Sequence, residues 1–225
     1  MRMHKKGHLE ERLSVCSDVL KISDLTDKNM STSINIKEYL DLFGIFKNNN
    51  PVHLEIGCGK GRFVNEMAKA NPEINFIACE KISNVLIEAC ERAKEEKLKN
   101  VYFLNCAAEV LTKYLKPHGI DKIYLNFSNP LPKEGYKKQR LTHPKFLKIY
   151  SELLKEGGEV VQKTDDYDFY LFSLDSFKEE GYEILSICED LASNPVAGDI
   201  ETEHEKMFKA QGRKIKRIVA RVNKC

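Results

Sequence analysis

The chain has 225 residues, of which 42% are hydrophobic and 31% charged, and this much apolar surface excludes a disordered chain. No apolar run approaches the roughly 20 residues that a membrane-spanning helix needs, and the first residues contain no apolar signal segment, so we expect a cytoplasmic protein without a membrane partner. The net charge of +2 identifies no partner, and seven cysteines without paired spacing argue against a disulfide framework or a bound metal.

Turn-forming residues at 47–51 separate an N-terminal arm, residues 1–50, from the main domain, residues 51–225. We expect the arm to be partly flexible. Beyond the turn, β-branched or aromatic runs alternate with amphipathic runs. The predicted strands are 52–57, 74–80, 101–106, 121–127, 158–164, 182–188 and 214–222, and the predicted helices are 61–70, 83–97, 108–115, 142–155 and 167–180.

The predicted strands are almost continuously apolar, as in the run INFIAC at 74–79. Such strands need helices on both faces, because both faces have to be kept from water. The alternation of strands and helices supplies that cover. The sequence therefore predicts an α/β fold with a doubly wound, mostly parallel sheet and an antiparallel strand at its C-terminal end.

A glycine-rich turn follows the first strand of the main domain and leads directly into a helix. Its spacing is G-x-G-x-G, with Gly57, Gly59 and Gly61, and it brings backbone amides close to a ligand. Glu55, just before the turn, would repel a pyrophosphate but suits a cation with an amino group. Glu80, roughly 20 residues further on, can accept hydrogen bonds from both hydroxyls of a ribose. These features favour S-adenosylmethionine over NAD.

The end of the next strand is where we expect the adenine ring to bind. An acceptor for the adenine amino group is common at such a position, but Ala107 offers none in its side chain. A backbone carbonyl, a backbone amide or the side chain of Asn105 would have to serve instead.

Two basic clusters point to a polyanionic partner. The first follows the strand 121–127, in the loop that faces the reactive end of the cofactor in this type of fold. It combines Tyr136 with the five cations Lys133, Lys137, Lys138, Arg140 and Lys145. The second cluster, residues 206–224, has eight cations and no acid. Cations around an aromatic ring suit a nucleic acid whose exposed base needs a stacking surface, although a solvated loop would show the same composition.

Five motifs in a fixed order resemble the bacterial tRNA (guanine-N7)-methyltransferase family, which belongs to the class I S-adenosylmethionine-dependent methyltransferases. The motifs are LEIGCGKG at 54–61, NFIACE at 75–80, NFSNPLPK at 126–133, KTD at 163–165, and TEHE at 202–205 followed by Gly212. The resemblance covers about residues 50–220. It implies methyl transfer to a guanosine in the tRNA variable loop, with tRNA as partner, no metal, and a monomer or homodimer.

The residue patterns and the resemblance together assign roles to three sets of residues. The cofactor-binding set comprises Glu55, Gly57, Gly59, Gly61, Glu80, Asn105, Ala107 and Asn129. The set that holds the guanine and its tRNA comprises Lys133, Tyr136, Arg140, Asp165, Thr202 and Glu205. Asn129 and Lys133 are the predicted catalytic residues.

The chain departs from the family in the loop after the strand 121–127. Asn129-Pro130-Leu131 stands where the family usually has Asp-Pro-Trp, and Gly135-Tyr136 where it usually has Arg-His. Guanine N7 carries an unprotonated lone pair, so its methylation needs alignment and no general base. Asn129 keeps an acceptor but loses the charge, an effect of roughly 1–3 kcal/mol, which predicts slower turnover or looser selectivity.

Three alternatives remain open at this stage. The pair Asn129-Pro130 also resembles the loop of amino-methyltransferases, which methylate an exocyclic amine. The substitutions in the loop also fit a homologue that binds tRNA or S-adenosylmethionine with reduced or lost catalysis. A small-molecule methyltransferase would share the cofactor site but would not need the two basic clusters.

Overall fold

The computed structural model describes residues 6–24, 35–196 and 200–223. Within these residues eight strands form a single sheet. The strands are β1 (Leu20–Ile22), β2 (Val52–Ile56), β3 (Asn75–Cys79), β4 (Val101–Asn105), β5 (Ile120–Asn126), β6 (Leu154–Thr164), β7 (Tyr182–Cys188) and β8 (Lys216–Val222). Their order across the sheet is β1-β4-β3-β2-β5-β6-β8-β7, and β8 is antiparallel to both of its neighbours. The other strand pairs are parallel, which confirms the predicted fold class.

Helices cover both faces of the sheet. They are α1 (Leu9–Val15), α2 (Leu42–Phe46), α3 (Arg62–Ala70), α4 (Ser83–Glu95), α5 (Leu111–Tyr114), α6 (Pro144–Leu153), α7 (Tyr167–Glu179) and α8 (Glu203–Ala210), with 3₁₀ helices at Ala108–Val110 and Glu134–Gln139. The core forms two clusters. Ile123 and Tyr150 belong to one, and Phe76 and Leu86 belong to the other. The central strands β2 and β3 are buried along their whole length. The apolar run predicts this for β3, whereas β2 is buried although it contains His53 and Glu55.

Local sequence signals explain where three of the helices begin. The Asp166 side chain accepts a hydrogen bond from the backbone N–H of Phe169 at 2.7 Å, which caps α7. The Thr202 hydroxyl accepts from the N–H of Glu205 at 3.0 Å and caps α8 in the same way. Pro144 occupies the first position of α6, where a missing N–H costs nothing.

Part of the predicted N-terminal arm packs against the main domain, so the two are less separate than the predicted boundary at residue 50 implies. Leu9 and Leu13 of α1 are buried in the core cluster that includes α4, and β1 extends the sheet by pairing with β4. Arg12 of α1 also forms an ion pair with Glu91 of α4. Residues 9–22 are therefore packed on the main domain, where their buried apolar side chains form part of the core. Residues 1–5 and 25–34, where the arm was also expected to be flexible, lie outside the described residues.

The residue pattern predicts no helix between residues 188 and 214, where α8 lies. It also predicts neither β1 nor the short helices α1 and α2. None of the described helices is long and apolar enough to cross a membrane. Across the described ranges, no group of histidine, cysteine and acidic side chains is arranged to hold a metal ion.

Candidate active site

Two adjoining cavities open where the carboxyl ends of the central parallel strands meet the glycine turn. The first, the glycine-loop cavity, has a volume of about 450 Å³, and its lining includes Glu55, Gly59, Asn126, Thr202, His204 and Met207. The second, the strand-end cavity, has a volume of about 420 Å³, and its lining includes Glu80, Cys106, Ala107, Ser128, Asn129 and Phe146. Gly57 and Phe127 line both cavities. Together they make a cleft at the topological switch point of the sheet, where ligands bind in such folds.

The three glycines of the turn have two different surroundings. Gly57 and Gly59 have φ angles of 79° and 57°, and a Cβ on either would meet no atom within 4 Å. Both therefore face the open cleft, where a ligand can approach the backbone closely. Gly61 has a φ of 69°, and its Cβ would lie 2.3 Å from the Cβ of Ala89. The third glycine thus lets α3 pack against α4.

Glu55 is a buried acid at the end of β2, with only 3% of its surface exposed. Burial raises the pKa of its carboxyl group to about 7, although hydrogen bonds from Asn126 and the backbone of Val64 work in the opposite direction. Oε1 accepts from Asn126 Nδ2 at 3.0 Å. A buried carboxylate placed in this way suits a cationic group that enters the cavity.

Three buried polar atoms around the cleft lack a hydrogen-bond partner among the described residues. They are Oε2 of Glu55, Oδ1 of Asn126 and Oγ of Ser128. Buried polar atoms in folded proteins are almost always paired, so three such atoms at neighbouring strand ends indicate the place of a ligand that donates hydrogen bonds. S-adenosylmethionine has an α-amino group and ribose hydroxyls that can act as these donors. The residues present therefore fit the cofactor.

Glu80 follows β3 and links it to the glycine turn. Its Oε2 accepts from the backbone N–H of Gly59 at 3.2 Å, and its Oε1 accepts from the N–H of Ile82 at 2.9 Å. The side chain also lines the strand-end cavity. Each carboxylate oxygen can accept a second hydrogen bond, so this position remains compatible with the predicted contact to ribose hydroxyls.

The two candidates for the adenine pocket differ in their access to the cleft. Both ends of the Asn105 amide are occupied, because Nδ2 donates to the carbonyl of Glu80 at 2.8 Å and Oδ1 accepts from Ser83 Oγ at 2.7 Å. Asn105 lines neither cavity, whereas Ala107 lines the strand-end cavity. Of the alternatives left open by the sequence, the backbone around Ala107 is therefore better placed than the Asn105 side chain.

The loop after β5 has an unusual backbone. Phe127 and Leu131 adopt left-handed φ angles of 49° and 46°, which bulky residues rarely do and which cost about 1–3 kcal/mol each. Asn129 is exposed, and its Oδ1 accepts from the N–H of Leu131 at 3.1 Å, so its side chain shapes the turn. These two strained residues lie beside the cleft, where Phe127, Asn129 and Leu131 all contribute to the lining.

The residues predicted to contact tRNA after this loop divide into exposed and buried ones. Lys133 and Tyr136 are exposed and line neither cavity. Arg140 is buried, and its guanidinium donates to the carbonyl of Leu131 at 3.2 and 3.4 Å. It also lies 4.5 Å from the ring centroid of Phe172. Arg140 therefore braces the loop, and its charged group is buried against Leu131 and Phe172.

The predicted substrate residues near the C-terminus have structural partners. Asp165 forms an ion pair with Arg213. Thr202 caps α8 and lines the glycine-loop cavity. Glu205 and Lys163 are each 1% exposed and form an ion pair at 3.1 Å, while Lys209 contacts the other carboxylate oxygen of Glu205 at 2.7 Å. Of the three predicted residues, only Thr202 lines a cavity.

Internal ion pairs reduce the free charge of both basic clusters. In the second cluster, Lys209, Arg213 and Arg221 each pair with an acid. In the first cluster, Lys137 pairs with Glu134 and Lys145 with Glu109. Among the described residues, those of the two clusters without an ion pair include Lys133, Lys138, Lys206 and Lys214. Lys224 lies outside the described residues. Because of these ion pairs, fewer cations are free than the sequence count suggests.

The sequence patterns predict no role for three aromatic residues that lie at or beside the cleft. Phe127 follows β5, and His204 and Phe208 lie on α8. Phe127 and His204 both line the glycine-loop cavity. The signal for α8 was present, because Thr202-x-x-Glu205 has the spacing of an N-terminal capping box. The motif was instead assigned to substrate binding through the resemblance.

The fold and the glycine-turn site define a class I S-adenosylmethionine-dependent methyltransferase. Residues 49–218 match the model of the methyltransferase family Methyltransf_4. The chain therefore belongs to this family, the tRNA (guanine-N7)-methyltransferase family that its motifs resemble. The match confirms the resemblance and the predicted cofactor.

Solved methyltransferase structures share the fold. The 16S rRNA methyltransferase KamB is 16% identical, with a TM-score of 0.63, 84% of this chain and 96% of that chain being covered. An antibiotic-related methyltransferase is 20% identical, with a TM-score of 0.61 and coverages of 90% and 97%. Phosphoethanolamine N-methyltransferase 2 of Haemonchus contortus, bound to S-adenosylmethionine, is 14% identical, with a TM-score of 0.52 and coverages of 78% and 49%. At these identities the likeness shows the fold alone.

Proposed function

We propose that this methyltransferase transfers the methyl group of S-adenosylmethionine to N7 of a guanosine in the variable loop of tRNA. The observation that carries the proposal is the family match over residues 49–218, on a cleft that combines an acidic interior with an aromatic wall. The exposed Lys133, two residues after Leu131 of the cavity lining, supports a phosphate-bearing substrate. We further propose that the protein acts in the cytoplasm as a monomer or homodimer, as expected from the sequence.

The chain's own residues would hold the two reactants in line. The backbone at Gly57 and Gly59, together with Glu55 and Glu80, would hold the cofactor in the cleft. When bound, the cofactor supplies an electrophilic methyl group on a sulfonium. Guanine N7 needs no deprotonation, so the positioning of the two reactants in the cleft would provide most of the acceleration.

Asn129 and Lys133 are the residues we place nearest the transfer. The Asn129 carboxamide oxygen already accepts from the N–H of Leu131, and its second lone pair can accept from the guanine edge. Such a contact would stabilise the positive charge that develops on the ring, although more weakly than a carboxylate would. The Lys133 ammonium would bind a phosphate of the tRNA and fix its register.

The test is an incubation of the purified protein with methyl-labelled S-adenosylmethionine and unmodified tRNA, followed by borohydride–aniline cleavage at N7-methylguanosine. Incorporation of label with cleavage in the variable loop is the expected result. A tRNA whose variable-loop guanosine is replaced by adenosine is the matched control and should remain unlabelled. Small ribosomal subunits serve as a comparison substrate, because KamB is a 16S rRNA methyltransferase.

Other outcomes would overturn the proposal in different ways. Label without cleavage would favour methylation of an exocyclic amine, the alternative that Asn129-Pro130 leaves open. Cofactor binding without label on either RNA would favour a homologue that has lost catalysis. Label on the ribosomal subunit alone would retain the methyltransferase and exclude tRNA as its substrate.

A further inference from the structure

We propose that the purine of the RNA substrate stacks on an aromatic cluster formed by Phe127, His204 and Phe208 beside the glycine-loop cavity. The inference rests on the proposed function and deepens it, since it names the surface that receives the base. The sequence analysis gave this stacking role to Tyr136. The structure brings together three other rings that are distant along the chain.

The three rings are in mutual contact. The ring centroids of Phe127 and His204 are 5.9 Å apart, and the two planes are inclined by only 23°, which is a stacked arrangement. Phe208 lies 5.6 Å from Phe127 and 6.0 Å from His204. The guanidinium of Arg213 lies 4.5 Å from the ring centroid of Phe208 and so covers that ring. The cluster is therefore braced on the side of Phe208.

The other side of the aromatic cluster is accessible. Phe127 and His204 both line the glycine-loop cavity, and His204 is exposed. The exposed side chain of Met207 lines the same cavity and adds an apolar surface. A flat and partly apolar wall beside a cavity suits the face of a base, because every base has a π-face that can stack.

One residue holds both parts of the aromatic cluster in place. The backbone carbonyl of Lys163 accepts from the N–H of Phe127 at 2.9 Å. The side-chain ammonium of the same lysine pairs with Glu205 of α8, which carries His204 and Phe208. Phe127 is also held in its left-handed conformation, and strain of this kind persists only where the surroundings enforce it. The cluster is thus built into the fold.

Tyr136 is a weaker candidate for the stacking surface. Its side chain is 48% exposed on the 3₁₀ helix 134–139, and it lines neither cavity. Leu131 stands where the family usually has a tryptophan, so the loop after β5 offers no aromatic ring at that position either. The aromatic cluster reaches the glycine-loop cavity through Phe127 and His204 and is therefore a better stacking surface than Tyr136.

The first experiment compares four variants of the full chain in steady-state kinetics with tRNA, namely His204→Ala, His204→Phe, Phe43→Ala and Tyr136→Ala. His204→Ala should raise the KM for tRNA by about 5- to 150-fold, the range for loss of one base–aromatic stack, while the fold stays intact. His204→Phe keeps a flat ring and should restore KM to within about threefold of the original. Phe43→Ala removes an exposed ring on α2, outside both cavities, and is the matched control.

Three kinetic outcomes would overturn the inference. The first is a His204→Ala variant with unchanged KM for tRNA, and the second is a His204→Phe variant that is as impaired as His204→Ala. The third is a larger increase in KM for Tyr136→Ala than for His204→Ala, which would return the stacking role to Tyr136. Circular dichroism of each variant verifies that α8 remains folded.

The second experiment does not depend on methylation and therefore separates this inference from the proposed function. The ring protons of His204 are followed by NMR in the presence of S-adenosylhomocysteine while tRNA is added, and His204→Phe assigns the signal. Stacking predicts an upfield ring-current shift at saturation. If this shift appears but no N7-methylguanosine forms, base stacking on the cluster is supported and the proposed function is wrong. Saturable RNA binding without the shift, or no RNA binding at all, overturns the cluster.

Discussion

The two halves of the cleft are built in different ways. The cofactor half, which we propose binds S-adenosylmethionine, consists of the glycine turn and Glu80, which follow neighbouring parallel strands and contact each other through the backbone of Gly59. The substrate half, which we propose binds the RNA, consists of the loop after β5 and helix α8, which are distant in sequence and are joined through Lys163. The cofactor half thus depends on short motifs, and the substrate half depends on a long-range ion pair. Mutations in the two halves should therefore have different consequences.

The largest effect is expected for Glu205→Gln in the substrate half. Burial opposes ionisation of Glu205, yet the hydrogen bonds and charges of Lys209 and Lys163 lower its pKa. Removing the carboxylate leaves the ammonium of Lys163 buried without its acid, which should reduce the free energy of unfolding by about 3–5 kcal/mol. Urea denaturation of the purified variant measures this loss.

Lys209→Gln is the matched control for this comparison. Lys209 contacts the same carboxylate as Lys163 but is partly exposed, so its removal should cost about 1 kcal/mol or less. If Glu205→Gln is no less stable than Lys209→Gln, the buried pair does not hold α8 and the contrast between the halves is wrong.

The next prediction compares the stability and ligand affinity of alanine substitutions at two glycines of the cofactor half. Gly61→Ala places a methyl group 2.3 Å from the Cβ of Ala89 at a positive φ, and should lower the free energy of unfolding by about 2–4 kcal/mol. Gly57→Ala meets no atom within 4 Å and should cost only about 1–2 kcal/mol for its backbone. Its methyl group instead occupies the cleft. Calorimetry should therefore show a greater loss of affinity for S-adenosylhomocysteine in Gly57→Ala than in Gly61→Ala.

The reverse order of these effects would contradict the two surroundings inferred for the turn. A stable Gly61→Ala variant would show that α3 and α4 can separate without cost. Unchanged ligand affinity in Gly57→Ala would place the ligand away from the turn.

A smaller effect is expected from the pH dependence of ligand binding through Glu55. The pKa of this group is about 7 in the folded protein and 4.5 in its ordinary state. The α-amine of S-adenosylhomocysteine is that of a free amino acid, so it is cationic throughout pH 6 to 7.5 and should bind better to ionised Glu55. Its affinity should therefore rise by about eightfold between pH 6 and pH 7.5. Titration calorimetry at the two pH values measures the change, and Glu55→Gln should abolish it.

The same group has the opposite effect on the stability of the free protein. Its folded pKa lies above the unfolded value, so the protonated form is favoured by folding. The stability contribution is fully present below pH 4.5 and is lost as the pH rises to about 7. Stability and ligand affinity should thus change in opposite directions between pH 6 and 7.5, and parallel changes would exclude Glu55 as the cause.

The cofactor half could be predicted because its signals are local. The turn at 57–61 and Glu80 each follow an apolar strand directly, and parallel strands bring their ends to the same edge of the sheet. The role of Asn105 could not be predicted in this way, because its side chain forms hydrogen bonds with Glu80 and Ser83, which belong to other segments of the chain. The motif signal alone does not say which polar side chains remain available to a ligand.

The substrate half was predicted less well for physical reasons. Charged residues are usually exposed, so the sequence offered no sign that Arg140 and Lys163 are buried. The strand β1 has three residues, too few for a periodic pattern, and it forms because β4 offers an edge. Helix α8 did carry a capping signal in Thr202-x-x-Glu205, which the sequence analysis assigned to substrate binding.

The smallest expected effect tests the chemistry of the substrate half. Asn129→Asp keeps the oxygen that accepts from the N–H of Leu131, so the turn and the fold should be retained. In the proposed reaction it adds a negative charge where positive charge would develop on the guanine. Because position 129 is exposed, we expect the low end of the roughly 1–3 kcal/mol effect, an increase in kcat for tRNA of about five- to tenfold. Single-turnover methylation at saturating tRNA measures the chemical step, and Asn129→Ser, which retains a hydroxyl acceptor for the turn without the charge, is the control. An Asn129→Asp variant whose kcat is unchanged or lower would show that the loop acts through its shape and not through charge.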